Sequence, residues 1–472
     1  MNQLITEIVR AGSTGAKLNS DVAHGGGDDD TAVLQEILDR AGETHPLTLI
    51  MDGAALVSGL RVHSNTTIHC LNKSCGFYLM DHADAAILAN ANFSSGEITD
   101  HDIVIQGGTW NGNAENQAHH LENGYHMVNM AFFGVRRLDI RDLWIRNSRT
   151  YGIHLANWQS VNLENLLIEP DRYQLLQNQD GVHVNGPGRF MTARNITGFG
   201  EDDFFAINAD DGEEPMSKVP CHGPWVVEGD ITDVLIDGLV WRDSIQGVRL
   251  LSRESRLDRI VIRNVIGTNS DFGFLIEPFA RNSKEKGHFG SIFIENVDVR
   301  QIAPKKREYG WWLMTVSGSV ESLILKNFRR HNAEDERPMI HLRSEADVSL
   351  FLIDGLSVFD ANPDGKRTDH IRIDGRVAAM RLANVDVFEQ GNVPGKGSLL
   401  KLGPGAKVAR LTLNSVAVPT PDRMIDAPPG TLVRVDSGDA PPPGFLSDLF
   451  RPVEKIGTLS PKNLQSEDQK CN

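Results

Sequence analysis

Apolar residues alternate with polar ones in short runs along most of the chain. Each run closes on a polar residue, then Asn, Asp, Ser or Gly, then another apolar residue. The runs occupy 103–107, 138–143, 161–166, 234–239, 260–265, 292–297, 323–328, 353–356, 382–385 and 413–416. A period of two predicts strands. The recurring Asn or Gly predicts a tight bend, because these residues tolerate the left-handed backbone region. Anchored on the last apolar residue before the bend, Ile140 and Leu163 lie 23 residues apart. Ile236, Ile262, Ile294, Leu325, Ile353, Leu382 and Leu413 follow one another at intervals of 26 to 32. No helical pattern separates these strands, so βαβ units are not expected. The spacing predicts an all-β solenoid of stacked parallel strands, a single-stranded β-helix. A β-sandwich would instead show shorter, hairpin-linked spacing.

One helix is predicted, at the N-terminal end. Val33, Leu34, Ile37, Leu38 and Ala41 form one apolar face, Asp30 or Thr31 supplies an N-cap, and Gly42 a stop. It is expected to close the end of the core. The organisation read from the chain is an N-terminal segment with this capping helix over 1–45, a β-helix catalytic domain over 46–435, and a Pro-rich, then polar, extended tail over 436–472.

A second strand family follows the bends, at 152–155, 181–184, 203–206, 247–250 and 273–276. Aligned on their first residues, Ile153/Leu155, Val182/Val184, Phe204/Ala206, Val248/Leu250 and Phe274/Ile276 share the core-facing parity. The outward ribbon would then carry His154, His183, Phe205, Arg249 and Leu275. Beside it stand three acids. Asp180 closes Asn178-Gln179-Asp180, and Asp202 and Asp203 follow about one repeat later. Asp180 and Asp202 are expected in the bends and Asp203 at the ribbon's edge. A single Asp at a turn usually caps the backbone. Three acids meeting at one bend on consecutive coils repel one another and raise at least one pKa, which suits acid–base work on a glycosidic bond. His183 adjoins Asp180 and is the stronger histidine candidate; His154 reads equally well as an ordinary ribbon residue.

Composition narrows the partners. The net charge of −16 argues against nucleic acid and anionic membrane surfaces, and no apolar run is long enough to span a membrane. Four cysteines are few for 472 residues. Only Cys70 and Cys75 are close, and two buried thiols are a better reading than one small disulfide. No Cys/His grouping suggests a metal, and no cofactor motif is present. The first residues lack a basic region followed by an apolar one, so no secretory leader is expected in this chain.

Four motifs together resemble the polygalacturonase-type glycoside hydrolases, family 28 of the glycoside hydrolases, in the pectin-lyase-like superfamily. Asn178-Gln179-Asp180 is similar to the family's Asn-Thr-Asp, Asp202-Asp203 to its Asp-Asp, Cys221-His222-Gly223 to its Gly-His-Gly, and Gly247-Val248-Arg249-Leu250-Leu251 to its Arg-Ile-Lys strand. The stretches 60–68 and 107–113 look similar too, so the likeness covers about 28 to 330. The resemblance implies a right-handed parallel β-helix and an inverting hydrolase of pectin-type polysaccharides, in a secreted or periplasmic setting. By that resemblance Asp202 would protonate the leaving oxygen, and Asp180 and Asp203 would hold and activate water. His222 would tune the acid, while Arg249, His183, His154 and Asn178 would meet the carbohydrate. Leu251 departs from the pattern: the family has a basic residue there for the substrate carboxylate. That shifts the expected substrate toward a neutral or differently substituted sugar. Tyr309, Trp311 and Trp312 lie on a later coil and could stack on a sugar face, and 113–126 could wall off one end of the cleft. Two other readings stay open: a β-helix lyase or epimerase, and a non-catalytic, tailspike-like carbohydrate binder.

Overall fold

The computed structural model describes residues 5–118, 128–170, 179–210, 226–278, 286–301, 312–331, 338–360, 369–389, 397–419 and 424–437. The chain winds as a right-handed parallel β-helix, and every pairing between its strands is parallel. This excludes the sandwich, which needs antiparallel neighbours. From Ile153 onward each coil contributes one long bent strand and one short strand. The long strands Ile153–Glu169, Gly188–Gly198, Ile231–Ser244, Leu257–Asn269 and Phe289–Gln301 pair in succession. The short strands Val182–Asn185, Asp203–Asn208, Gln246–Leu251 and Phe274–Glu277 stack likewise.

The anchor residues align across the coils: Ile236 pairs with Ile262, then Ile294, Leu325, Ile353, Leu382 and Leu413 follow. The runs begin at 103, so the coils of Val9, Leu49 and Ile68, stacked below Ile105, lie outside them, and between Leu163 and Ile236 one coil escaped the pattern. Ala193 pairs with both Leu163 and Ile236, and its small side chain hides the apolar alternation. The predicted bends are left-handed: Gly107, Asp142, Asn165, Gly238, Asn264, Asn296, Asn327, Gly355, Asn384 and Ser415 all have positive φ, as does Asn195 in the coil that escaped. Here asparagine does more than tolerate the geometry. Asn327 donates to Asn296 at 2.9 Å, Asn296 to Asn264 at 3.0 Å, and Asn264 to Asp237 at 2.6 Å, so the bends are tied from coil to coil.

The predicted helix forms over Thr31–Leu38, with Leu34, Ile37 and Leu38 buried. Its ends differ from expectation. Asp30 stands at the N-cap position, but its carboxylate accepts the backbone N–H groups of Lys17 (2.6 Å) and Leu18 (2.9 Å). The N-terminal segment thus competes successfully for the capping group. The helix stops at Leu38, and Gly42 lies beyond it in a turn with His45. Cys70 and Cys75 are buried free thiols, and burial pushes the Cys70 thiol well up. Among the described residues, no helix is long and apolar enough to cross a membrane. Nearly all of the proposed tail after 436 lies outside the described residues.

Candidate active site

The register of the short strands places the acids. Val182 pairs with Phe205, and Phe205 with Val248. The predicted parity therefore fails on one coil: Phe205 and Ile207 face the core, and Ala206 takes the outward position between His183 and Arg249. The glycine that opens the neighbouring strands is replaced here by Phe204, so Phe204 and not Asp203 stands level with Gly181 and Gly247. Phe204 is also buried in the core, against Trp241. Two consecutive inward side chains break the alternation, and Asp203 is left pointing away from the core, toward Arg249.

Asp180 is thus the neighbour of Asp203, 23 residues on, and not of Asp202. The backbone N–H of Gly152 donates to Asp180, and that of Gly181 to Asp203. The residues two positions before the first core-facing residue of each short strand form one column: Tyr151, Asp180, Asp203 and Gln246, followed by Phe272. Asp202 precedes this column by one residue, in the bend, as predicted, and is the only half-exposed member of the trio.

The three carboxylates have different surroundings. Asp203 is fully buried, with Oδ2 3.1 Å from Nη1 of Arg249. Asp180 is 3% exposed; its Oδ1 accepts the Asp203 backbone N–H at 3.1 Å, and its Oδ2 lies 2.6 Å from Nδ1 of His183. Asp202 accepts a hydrogen bond from Nε2 of Gln246 at 3.2 Å. Burial, then the charges of Asp203 and Asp202, hold the Asp180 carboxyl well above its ordinary range, outweighing Arg249 and the Asp203 N–H. Asp180 therefore keeps its proton at a pH where an isolated carboxylate has lost its own.

Behind the acids lies a buried relay. Nε2 of His183 faces the amide Nδ2 of Asn208 at 3.1 Å, which assigns Nδ1–H of His183 as the donor to Asp180. Tyr151 stacks on His183 at 4.0 Å and 13°. His154 occupies the predicted ribbon column, paired in register with His183, but has no exposed surface. Phe133, Tyr151 and His183 surround it edge-on, Asn185 accepts from its Nε2 at 2.8 Å, and burial lowers its pKa to about 4. His154 is expected on the ribbon as a substrate contact; the structure places it as a buried packing residue beside His183. Leu251 is also fully buried, in register with Asn208, Asn185 and Glu277. Asn178 and His222 lie outside the described residues, as do Cys221, Tyr309 and Trp311. Among the described residues, no cluster of His, Cys, Asp and Glu has a metal-binding arrangement.

Tyr151, Gln246, Asn185 and Asn208 were not singled out in the sequence. A signal for two of them existed. Tyr151 and Gln246 each precede the glycine that opens a strand of the second family, as Asp180 does. Asn185 and Asn208 carried no such mark, because each needs the register to be placed.

Removing the Asp180 charge gives a test with a definite sign. Its raised pKa means that the folded chain holds a proton more tightly than the unfolded chain between pH 3.8 and the folded value. Stability from this group is therefore highest at low pH and falls as pH rises through the folded pKa. Asp180→Asn is expected to melt above the wild type at pH 7–8, with the gap closing toward pH 4. The His183–Asn208 pair can reverse its hydrogen bonds to suit the new amide, because Oδ1 of Asn208 has no partner among the described residues. Calorimetry across this range checks it; a constant gap would remove the titration from the account.

The fold has counterparts among solved structures. It is similar to the family 28 exopolygalacturonase of Yersinia enterocolitica, with a TM-score of 0.59 and 14% identity over 93% of this chain and 79% of that one. It is similar, more loosely, to the Streptococcus pneumoniae surface protein and adhesin PfbA (TM-score 0.47, 13% identity, 91% and 100% covered). A third is the endo-xylogalacturonan hydrolase of Aspergillus tubingensis (0.46, 11%, 92% and 100%). No family model matches the sequence, and no curated protein does. Identities this low carry the fold alone.

Proposed function

We propose that this protein is a β-helix glycoside hydrolase in which Asp202 is the general acid and Asp180 and Asp203 hold and activate water. The observation that carries this is the placement of three carboxyls on two adjacent coils in three unlike settings: one half-exposed, one paired with Arg249, one buried beside a histidine. In the step envisaged, Asp202 gives its proton to the glycosidic oxygen as the bond from that oxygen to the anomeric carbon breaks. Water attacks the carbon from the opposite face, and its proton passes to the Asp180–Asp203 pair. Only Asp202 combines exposure with a light tether, which a proton donor to a bulky leaving group needs. Parallel strands stand about 4.8 Å apart, which brings Asp180 and Asp203 near enough to share one water.

The substrate side supports a neutral sugar over polygalacturonate. Leu251 stands where the resembled family carries a basic residue and is itself fully buried, and Arg249 is already engaged by Asp203. Asn178 and His222 remain proposed substrate contacts by resemblance.

A panel of pectic and neutral oligosaccharides, read by new reducing ends and by NMR of the first-formed anomer, tests the reading. New reducing ends with inverted configuration are expected. A retained anomer would overturn the water-pair role. An unsaturated product absorbing in the ultraviolet would make the protein a lyase, and binding without turnover would make it a non-catalytic binder.

A further inference from the structure

The outward ribbon continues past the acids. Arg249 is followed in register by Leu275, Thr315, His341 and Arg372. Leu275 and Phe272 carry the ribbon and its neighbouring column onward with apolar side chains, both almost fully buried. Beyond them the character changes. Trp312 is half-buried, its ring 6.1 Å from Phe272 and 4.8 Å from His341, with the Arg343 guanidinium over it at 5.7 Å. Three buried hydrogen-bonding atoms in this spot have no partner among the described residues: Nε1 of Trp312, Oγ1 of Thr315 and Nδ1 of His341.

Their chemistry is complementary. Nε2 of His341 lies 2.8 Å from Oδ2 of Asp374, and burial holds the imidazole below its ordinary pKa. A neutral ring that donates from Nε2 leaves Nδ1 as an acceptor. The indole N–H is a donor, and the threonine hydroxyl serves as either. Leaving such groups unpaired costs stability, so a fold that keeps three together points to a ligand that completes them. The nearby charges are balanced: Arg343 pairs with Glu277 at 3.3 Å and Arg372 with Asp374 at 2.8 Å. An indole beside a mixed donor–acceptor set, with the charges of the described residues paired, fits the hydroxyls of an uncharged sugar ring.

We infer that Trp312, Thr315 and His341 form a distal subsite for a neutral pyranose of an extended glycan lying along the helix axis. Gln246, Phe272 and Trp312 follow Asp203 on successive coils, so the subsite stands about 14 Å from the acids at the usual strand spacing. A chain several rings long is needed to occupy both. The inference rests on the glycosidase reading for its substrate class, but its test is binding.

Maltohexaose, cellohexaose, β-1,4-galactohexaose and hexagalacturonate are titrated into the full chain by calorimetry, with the matching disaccharides. At least one neutral hexasaccharide is expected to bind. Its Kd should rise about tenfold in Trp312→Ala and several-fold in Thr315→Val, while disaccharide binding stays unchanged. Thr315→Val removes an unpaired hydroxyl, so its melting temperature should not fall, which separates lost binding from lost fold. Binding of hexagalacturonate alone, no hexasaccharide binding, or wild-type affinity in both variants would each overturn the subsite. Binding that both variants lose, without release of reducing ends, leaves the subsite standing and removes the hydrolase reading.

Discussion

Asp202→Asn is expected to lower glycosidic turnover by about 10²–10⁴-fold, the usual contribution of a positioned general acid, and to leave fold and sugar affinity intact. An amide cannot give up a proton to a leaving oxygen. It can still accept the 3.2 Å hydrogen bond from Gln246 through its carbonyl oxygen, and the residue is half-exposed, so no cavity or buried orphan results. The control is therefore strict. The variant should melt within a degree or so of the wild type and bind the same oligosaccharide with unchanged Kd. Turnover within a few-fold of wild type would transfer the acid role to another group. Equal loss of binding and turnover would mean that Asp202 holds the substrate instead of protonating it.

Gly198→Ala is expected to be the most damaging small substitution near the site. Gly198 ends the strand Gly188–Gly198 with φ +141°, a conformation that an L side chain rarely adopts. A Cβ there would lie 1.8 Å from the carbonyl oxygen of Ile168 and 2.7 Å from its carbonyl carbon. Both are backbone atoms of the paired strand and cannot turn aside as a side chain could. Strain and overpacking together should cost about 3–5 kcal/mol. Asp202 follows four residues later, so the shift needed to relieve the clash would also displace the acid. Urea denaturation should show a clearly lowered midpoint, and turnover should fall even where the variant is folded. An unchanged midpoint would mean that the coil has slack not evident from its packing.

The repeat was legible because each coil solves the same local problem. A strand that buries one face needs alternation, and a corner that turns left-handed needs Asn, Asp or Gly. Ten runs followed from those two demands, and the coil missed between them is the one whose core residue is Ala193. The acids were legible as a cluster for a related reason: a nearly constant repeat places similar positions of neighbouring coils side by side. Which acid stands beside which was not legible. That depends on Phe204 taking a glycine's place, and on both Phe204 and Phe205 entering the core. Alternation cannot foresee such a break, because the cause lies with Trp241 and Val182 on other coils.

The N-cap reading of Asp30 failed similarly. Sequence reasoning sees the helix that follows, but the carboxylate went to Lys17 and Leu18 on a segment that only folding brings near. The hydrogen-bond partners of a buried carboxylate are chosen among all nearby donors, not only those next in the chain.

By itself, then, the sequence determined the solenoid, the position of its bends and the meeting of Asp180, Asp202 and Asp203 at one edge, since all three follow from local periodicity. Tertiary structure decided the rest: that Asp203 and not Asp202 stacks on Asp180, that Arg249 is already engaged by Asp203, that His154 packs where it was expected to touch a sugar, and that unpaired groups of Trp312, Thr315 and His341 gather farther along the groove. Those outcomes turn on one-residue register and on which side chains cover which. Contacts between coils set both, and the chemistry of the three acids depends on them.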